Sequence, residues 1–361
     1  NEVESFKKVS NLNNGDHLFV LNQSSPVIDT LIVNDDFIQP AINSNDNLNI
    51  FIPEELSFSD NNLCSIISPL PSSCIFNNNH LVVEYDQDPG SEIKLTNIQL
   101  NSPGVLLSEE DIDLYFYDPI NDPGLDPTYE TSATIQVGNP TIDLDQKYAF
   151  LKDDIQQTIR VVISENESAA SISERNGIDV KFDDSFNASF VSTSFVPVAG
   201  QCDNPPNSID VIENGLHFNF GGNNQAGDIC VLDLYLENID AISDEITLGL
   251  NASSDDVLHT STSNTLRIGD LSLSSAEVNL FITDSSTYTD SISVISLQES
   301  DIPALEKNDI IIFTIGEGDD NYPIFSQENN TSIVYSHNNE DAFSEFSIVS
   351  IDGQEMQIEN L

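Results

Sequence analysis

The feature that constrains this chain most is an internal repeat. A strand, a short polar connection, a turn and a second strand recur three times at a spacing near 130 residues. The first copy reads Ile28-Asp29-Thr30-Leu31-Ile32-Val33, then Ala41-Ile42, then Asn45-Asp46-Asn47-Leu48-Asn49-Ile50-Phe51-Ile52. The second runs from Thr158 to Ile163, through Ser171-Ile172, to Arg175-Asn176-Gly177 and Ile178 to Phe182. The third runs from Ser291 to Ser296, through Ala304-Leu305, to Lys307-Asn308-Asp309 and Ile310 to Phe313. Leu48, Ile178 and Ile310 are thus 130 and 132 positions apart. A strand before a Gly-centred turn is a second landmark: Leu81 before Gly90 and Leu216 before Gly227, 135 apart. A third closes each copy: Thr134 to Asn139 and Thr265 to Asp270, with Gly138 and Gly269 131 apart. We read three modules, 1–145, 146–274 and 275–361. In the third, the counterpart of the Leu81 and Leu216 strand is expected at Gln354-Glu355-Met356-Gln357-Ile358, and the closing Gly-Asp strand is missing. The third module therefore reads as part of a longer array, or as a sandwich completed by a strand donated from elsewhere.

Local patterning gives the fold class. Apolar residues alternate with period 2 in Leu31/Val33, Ile93/Leu95, Ile159/Val161/Ile163 and from Val231 to Leu236, and Asp88-Pro89-Gly90 breaks the runs. No sustained 3.6-residue stripe exists; the best helical candidate, Asp301 to Lys307, is one or two turns. Modules of this length with short alternating strands predict an all-β chain of tandem antiparallel β-sandwiches.

The polar-alternating strand, the Asn45-Asp46 turn, Ile50-Phe51-Ile52-Pro53 and the Gly90 and Gly227 turns resemble tandem immunoglobulin-like or cohesin-like sandwiches. Such modules occur in large bacterial surface proteins and adhesins. The resemblance covers most of the chain, although the second and third copies lack Pro53. It implies export, a rod-like array and a binding or building role, and it carries over no catalytic residue.

Charge narrows the partners. Sixty-one acidic residues against ten basic ones give a net charge of −51. Phosphate recognition needs clustered Lys and Arg, so neither nucleic acid nor an anionic membrane surface is expected as a partner. A fold with this charge needs screening by salt or by bound divalent cations. Calcium takes six to eight oxygens from loop carboxylates and carbonyls. The densest candidate is the proline-shaped loop holding Asp118, Asn121, Asp122 and Asp126; Asp319 and Asp320 form a second, and Asp86-Gln87-Asp88 a third. None follows the EF-hand spacing.

Four cysteines fall as two local pairs, Cys64 with Cys74 and Cys202 with Cys230. Two intramodular disulfides, and so an extracellular or cell-surface location, are the reading; four buried thiols are the alternative. The start at Asn1, without Met or an apolar spanning run, reads as a processed piece of an exported protein. Asn-x-Ser/Thr sequons occur at Asn22, Asn166, Asn187, Asn251, Asn329 and Asn330.

Catalytic patterns are missing. His17, His80, His217, His259 and His337 are scattered, Trp is absent, and neither a nucleophile elbow nor a P-loop occurs. His80 and His217, near one repeat landmark, read as structural. The chain is expected not to be an enzyme. It reads as a structural or adhesive component of an extracellular assembly, with copies of itself or neighbouring subunits as partners and no membrane insertion. The alternative is a carbohydrate- or protein-binding module presenting Tyr115, Phe116, Tyr117 and Tyr129; converging carboxylates in a pocket would mark a hydrolase instead. If calcium is bound, a chelator lowers the melting temperature of the full chain, and an unchanged midpoint rules calcium out.

Overall fold

A computed structural model of the protein describes residues 11–13, 15–34, 47–86, 92–115, 130–131, 133–152, 157–175, 177–182, 189–197, 202–212, 215–237, 242–252, 259–275, 295–302, 304–305, 309–314, 346–352 and 355–360. Short strands dominate. The first repeat holds β1 (Asn11–Asn13), β2 (Asp16–Val20), β3 (Val27–Asn34), β4 (Asn47–Phe51), β5 (Ile67–Ser68), β6 (Ser73–Asn77), β7 (His80–Glu84), β8 (Glu92–Gln99), β9 (Leu107–Asp111), β10 (Asp113–Tyr115), β11 (Glu130–Thr131) and β12 (Thr134–Gly138). The second holds β13 (Thr141–Leu144), β14 (Tyr148–Leu151), β15 (Gln157–Ser164), β16 (Ile178–Phe182), β17 (Ser189–Pro197), β18 (Pro206–Ile212), β19 (Gly215–Phe220), β20 (Ile229–Glu237), β21 (Ser243–Ile246), β22 (Leu248–Ala252), β23 (Thr260–Ser261) and β24 (Leu266–Gly269). The third holds β25 (Leu271–Ser275), β26 (Ile295–Glu299), β27 (Ile310–Thr314), β28 (Phe346–Asp352) and β29 (Glu355–Asn360). The fold is all-β. Asp301, Ile302, Ala304 and Leu305, in the expected short helix, are irregular chain.

The chain divides into two compact units. The first, residues 1–146, 158–236 and 247–264, contains the sheets β11-β1-β3-β8-β5, β10-β4-β7-β6, β2-β12-β9, β13-β15-β20-β17 and β18-β19-β16-β22-β23. The second, residues 147–157, 237–246 and 265–361, contains β14-β24-β21, β25-β26 and β27-β29-β28. One pairing order recurs: β10-β4-β7-β6 returns as β22-β16-β19-β18, and its β4-β7-β6 portion as β27-β29-β28. Likewise β2-β12-β9 returns as β14-β24-β21.

Register explains the recurrence. Ile50 lies opposite Leu81, and Val180 opposite Leu216. Phe313 lies opposite Met356, with hairpin ends matched as Ile212 to Gly215 and Asp352 to Glu355. The structural counterpart of Ile178 is therefore Ile311, which faces Ile358 as Ile178 faces Phe218. The sequence alignment of Ile178 with Ile310 is off by one residue, and a one-residue slip exchanges the faces of a strand. Accordingly Ile178 and Val180 are fully buried, whereas Ile310 and Ile312 are each 54% exposed.

In the first sandwich, Leu31, Val33, Ile93 and Leu95 of one sheet meet Leu48, Ile50, Leu81 and Val83 of the other in a single apolar core. The alternation places them there: along β8 Ile93 and Leu95 point inward, and past them Asn97, with φ +57°, shifts the alternation so that Ile98 is the next buried residue. The sheets are not purely antiparallel. β2 runs parallel to β12, β14 to β24 and β1 to β11, because the opening and closing strands of a repeat lie side by side. The chain thus leaves a repeat in the direction in which it entered.

Both expected disulfides are formed. Cys64–Cys74 joins the chain before β5 to the edge strand β6, with Cα atoms 5.6 Å apart. Cys202–Cys230 joins the chain before β18 to β20, with Cα atoms 4.6 Å apart. Each staples the two sheets of a sandwich together. Loop-closure entropy predicts that replacing Cys64 and Cys74 by Ser costs about 3 kcal/mol, and Cys202 and Cys230 about 4 kcal/mol. Denaturant unfolding of the two double variants checks both the sizes and their order.

Candidate functional site at the joint between repeats

The third sequence landmark, the glycine closing each repeat, is where one repeat meets the next. Gly138 ends β12, and a Cβ there would lie 2.7 Å from the Ala169 carbonyl oxygen and 2.9 Å from Ser171 Cβ. Such distances fall well inside van der Waals contact, so only glycine lets the loop after β15 approach. Gln136, two residues before Gly138, accepts the Ala170 N–H on its side-chain oxygen at 3.0 Å.

The approaching loop is held by one carboxylate. Glu165 Oε1 accepts the N–H groups of Ser171 at 3.0 Å and Ile172 at 2.7 Å, and Oε2 accepts the Ser171 hydroxyl at 2.6 Å. The Glu165 side chain is buried. Burial pushes its pKa above the ordinary range; hydrogen bonds from Ser171 and Ile172 oppose this, and the Asp228 charge adds to it. The joint recurs in the second unit. Glu299 Oε1 accepts the N–H groups of Ala304 at 2.9 Å and Leu305 at 2.8 Å. Gly269, closing β24, lies where a Cβ would run into the Ile302 carbonyl and come 2.8 Å from Ala304 Cβ.

Beyond the Glu165 clasp, the same loop covers the first repeat's opening strand. A cavity of about 10 Å³, the size of one water, is lined by Asp16, His17, Leu18, Phe19, Val27 and Asp29 on one side and Ser173 and Arg175 on the other. Arg175 Nε stands 4.0 Å from the Asp29 carboxylate. Asp16 accepts the Thr134 hydroxyl at 2.9 Å. His17 is 4% exposed, and its Nε2 meets no hydrogen-bond partner among the described residues. Burial, reinforced by the Arg175 charge and opposed by Asp16, lowers the His17 pKa to about 4.

Of the residues singled out from sequence, the structure places only part. Asp118, Asn121, Asp122, Asp126, Asp319 and Asp320 lie outside the described residues, as do Phe116, Tyr117 and Tyr129. Asp86 is exposed just after β7. Among the described residues, no three His, Cys, Asp or Glu side chains converge as a metal site, and no helix is long and apolar enough to cross a membrane. Tyr115 is half-buried, edge-on to Phe51 at 5.5 Å. His80 stacks on Phe51 at 4.0 Å and donates from Nε2 to Asn49 Oδ1 at 2.9 Å. His217 Nδ1 lies 2.7 Å from Asp179 Oδ1. These two histidines are not at equivalent positions: His80 faces Phe51 and His217 faces Asp179. Their partners Asn49 and Asp179, 130 residues apart, are equivalent. Of the sequon asparagines, Asn251 is buried, Asn22 is exposed at a turn with φ +63°, and Asn166 is half-buried. Asn187, Asn329 and Asn330 lie outside the described residues. Sequence reasoning missed Glu165, Glu299, His17 and Arg175. The available signal was an acid five or six residues before the Ser171-Ile172 and Ala304-Leu305 pairs.

No family model and no curated protein sequence matches the chain. Among solved structures, it is similar to a tandem from titin at 10% identity and a TM-score of 0.26, over 98% of this chain and 88% of that one. It is also similar to the C-terminal domain of the Streptococcus agalactiae AgI/II polypeptide BspA, at 10% identity and a TM-score of 0.26, over 69% and 95%. A third is described as manganese lipoxygenase of Gaeumannomyces graminis with a partial structure of zonadhesin of Komagataella pastoris. It stands at 13% identity and a TM-score of 0.21, over 71% and 92%. At these values none of the likenesses carries weight for role or mechanism. The fold and its geometry are those of a protein of tandem β-sandwich repeats with a twice-made joint.

Gly138→Ala and Gly269→Ala are each expected to cost about 1–3 kcal/mol, because the added methyl overpacks a backbone contact. Gly104→Ala, where nothing lies within 4 Å of the new Cβ, is the matched control and stays near neutral. Denaturant midpoints of the three variants decide the point.

Proposed function

We propose that this chain is a structural or adhesive component of an extracellular assembly, built from serial sandwiches with the boundaries 1–145, 146–274 and 275–361. The observation that carries the reading is the joint made twice. A closing-strand glycine receives a loop of the next repeat, and a carboxylate at the end of the strand leading into that loop holds it by its backbone N–H groups. A repeated joint serves a chain whose property lies in serial connection. The parallel opening and closing strands and the two cross-sheet disulfides support the same reading. So does an oxidising, extracellular setting, which the disulfides favour.

Copies of the chain, or neighbouring subunits, are the partners in this reading, and strand addition at β27 is the route. In the first two repeats the equivalent strands β4 and β16 are flanked on both sides, by β10 and β7 and by β22 and β19. Among the described residues β27 has β29 on one side alone, and Ile310 and Ile312 stand exposed along it. An open edge with protruding apolar side chains is a template for another strand. Calcium bridging between acidic loops belongs to this proposal as a means of offsetting self-repulsion.

Electron imaging and light scattering of the full chain in calcium-replete buffer test the reading. Ordered oligomers or fibres are expected, and Ile312→Lys is expected to reduce them by an order of magnitude or more. A dispersed monomer at high concentration, or assembly indifferent to Ile312→Lys, sinks the β27 route. A monomer that binds glycans in an array screen points to the binding-module alternative.

A further inference from the structure

We propose that the joint between the first two repeats is an acid-operated latch, in which protonation of His17 releases the loop 165–175 from β2 while both sandwich cores stay folded. The proposal does not depend on assembly and concerns this joint alone.

The geometry allows His17 to sit there only when neutral. Its ring is enclosed between β2 and the loop after β15, with Nε2 unpartnered among the described residues and a cavity no larger than one water beside it. A second ring proton would place an imidazolium in a site with room for about one water, far short of a hydration shell. Arg175, the cation in the cavity wall, repels it from the loop side. Of the carboxylates that face it, Asp29 of β3 is paired with Arg175. The charge of Asp16, which accepts the Thr134 hydroxyl, favours the imidazolium by less than burial and Arg175 disfavour it. β12, which pairs with β2, brings Thr134, Ile135 and Gln136 alongside and no charge. Opening the loop gives the imidazolium water and separates it from Arg175.

Glu165 titrates the other way. Its folded pKa is raised, so the clasp is favoured at low pH and weakened only as pH rises through that value. Acid therefore acts on His17 first. The sign is fixed by His17 as well: its folded pKa of about 4 lies below its ordinary 6.5. The closed joint keeps its full stability above pH 6.5, loses it as pH falls, and carries the whole penalty below pH 4. A separation of this size corresponds to a closed-to-open ratio lower by roughly a hundredfold or more. Elsewhere neutralising carboxylates relieves the repulsion of a −51 chain, with Asp143, whose folded pKa is lowered, as a group that loses its contribution in acid. Local opening in acid would thus run against that relief.

Hydrogen exchange on the full chain at pH 7.5, 5.5 and 4.0, corrected for intrinsic rates, tests the latch. Exchange in β2 and in 165–175 is expected to accelerate up to about a hundredfold by pH 4, with β3, β8, β16 and β19 unchanged. His17→Gln abolishes the acceleration. Arg175→Gln, by raising the imidazole pKa, shrinks it. An NMR titration of the His17 ring in the unmodified chain, expected near 4, provides a reading that needs no variant. Unaccelerated exchange, equal acceleration in His17→Gln, loss of protection in the cores together with the joint, or a ring titrating near 6.5 each overturns the proposal.

Discussion

A carbonyl oxygen lies 2.7 Å from the point where Gly138 would carry its Cβ, and much of the first unit's organisation follows from that contact. The closing strand β12 is bound to the opening strand β2 along its length, so whatever packs on Gly138 is also set against β2. The loop that does so cannot satisfy its own N–H groups through a ladder, and buried donors left unpaired would cost more than the packing returns. Glu165 takes two of them and the Ser171 hydroxyl. Once the loop is fixed, Ser173 and Arg175 come to rest over His17. One missing methyl group, one carboxylate and one buried imidazole form a single mechanical object.

The extreme charge is handled by placement more than by pairing. The ion pair of Arg160 with Asp233 is surface-exposed, at 2.7 Å, and pairs of that kind add little to stability. Acids that do leave solvent meet several donors. Asp143 is an example at the start of the second repeat. Partial burial pushes its pKa up, but hydrogen bonds from Ser263, Asn264 and Leu144 outweigh this and hold it below the ordinary carboxylate range. Ser263 and Asn264 precede the closing strand, so the same carboxylate ties the beginning of the repeat to its end. The remaining stability rests on apolar sheet faces such as Ile50 against Leu81 and Val180 against Leu216, which salt and pH scarcely touch.

The two kinds of carboxylate also show why the joint was hard to read from residue types. Among 61 acids, Glu165 and Glu299 are marked only by their spacing before Ser171-Ile172 and Ala304-Leu305. Their role depends on where Ser171 and Ala304 present backbone N–H groups, and those positions are set by the loop path over Gly138 and Gly269. The glycines, by contrast, were visible as a landmark because no other side chain is compatible with the contact. His80 and His217 looked equivalent by their nearness to Leu81 and Leu216. Pairing places His217 at the position of Val82, two residues along from His80, and it is their partners Asn49 and Asp179 that are equivalent.

By itself the sequence determined the all-β class, the repeat near 130 residues and the two cysteine pairs, because each depends on local spacing: a period of 2, a period of 130, or cysteines close along the chain. The tertiary structure decided the rest. Pairing with β29 shifted the third repeat's alignment by one residue and turned Ile310 and Ile312 outward, since strand faces are assigned by register. The parallel closure of β2 on β12 and of β14 on β24 arose from contacts more than a hundred residues apart. The joint of Gly138, Glu165 and His17 exists only where two repeats touch, and no pattern within one repeat could place it.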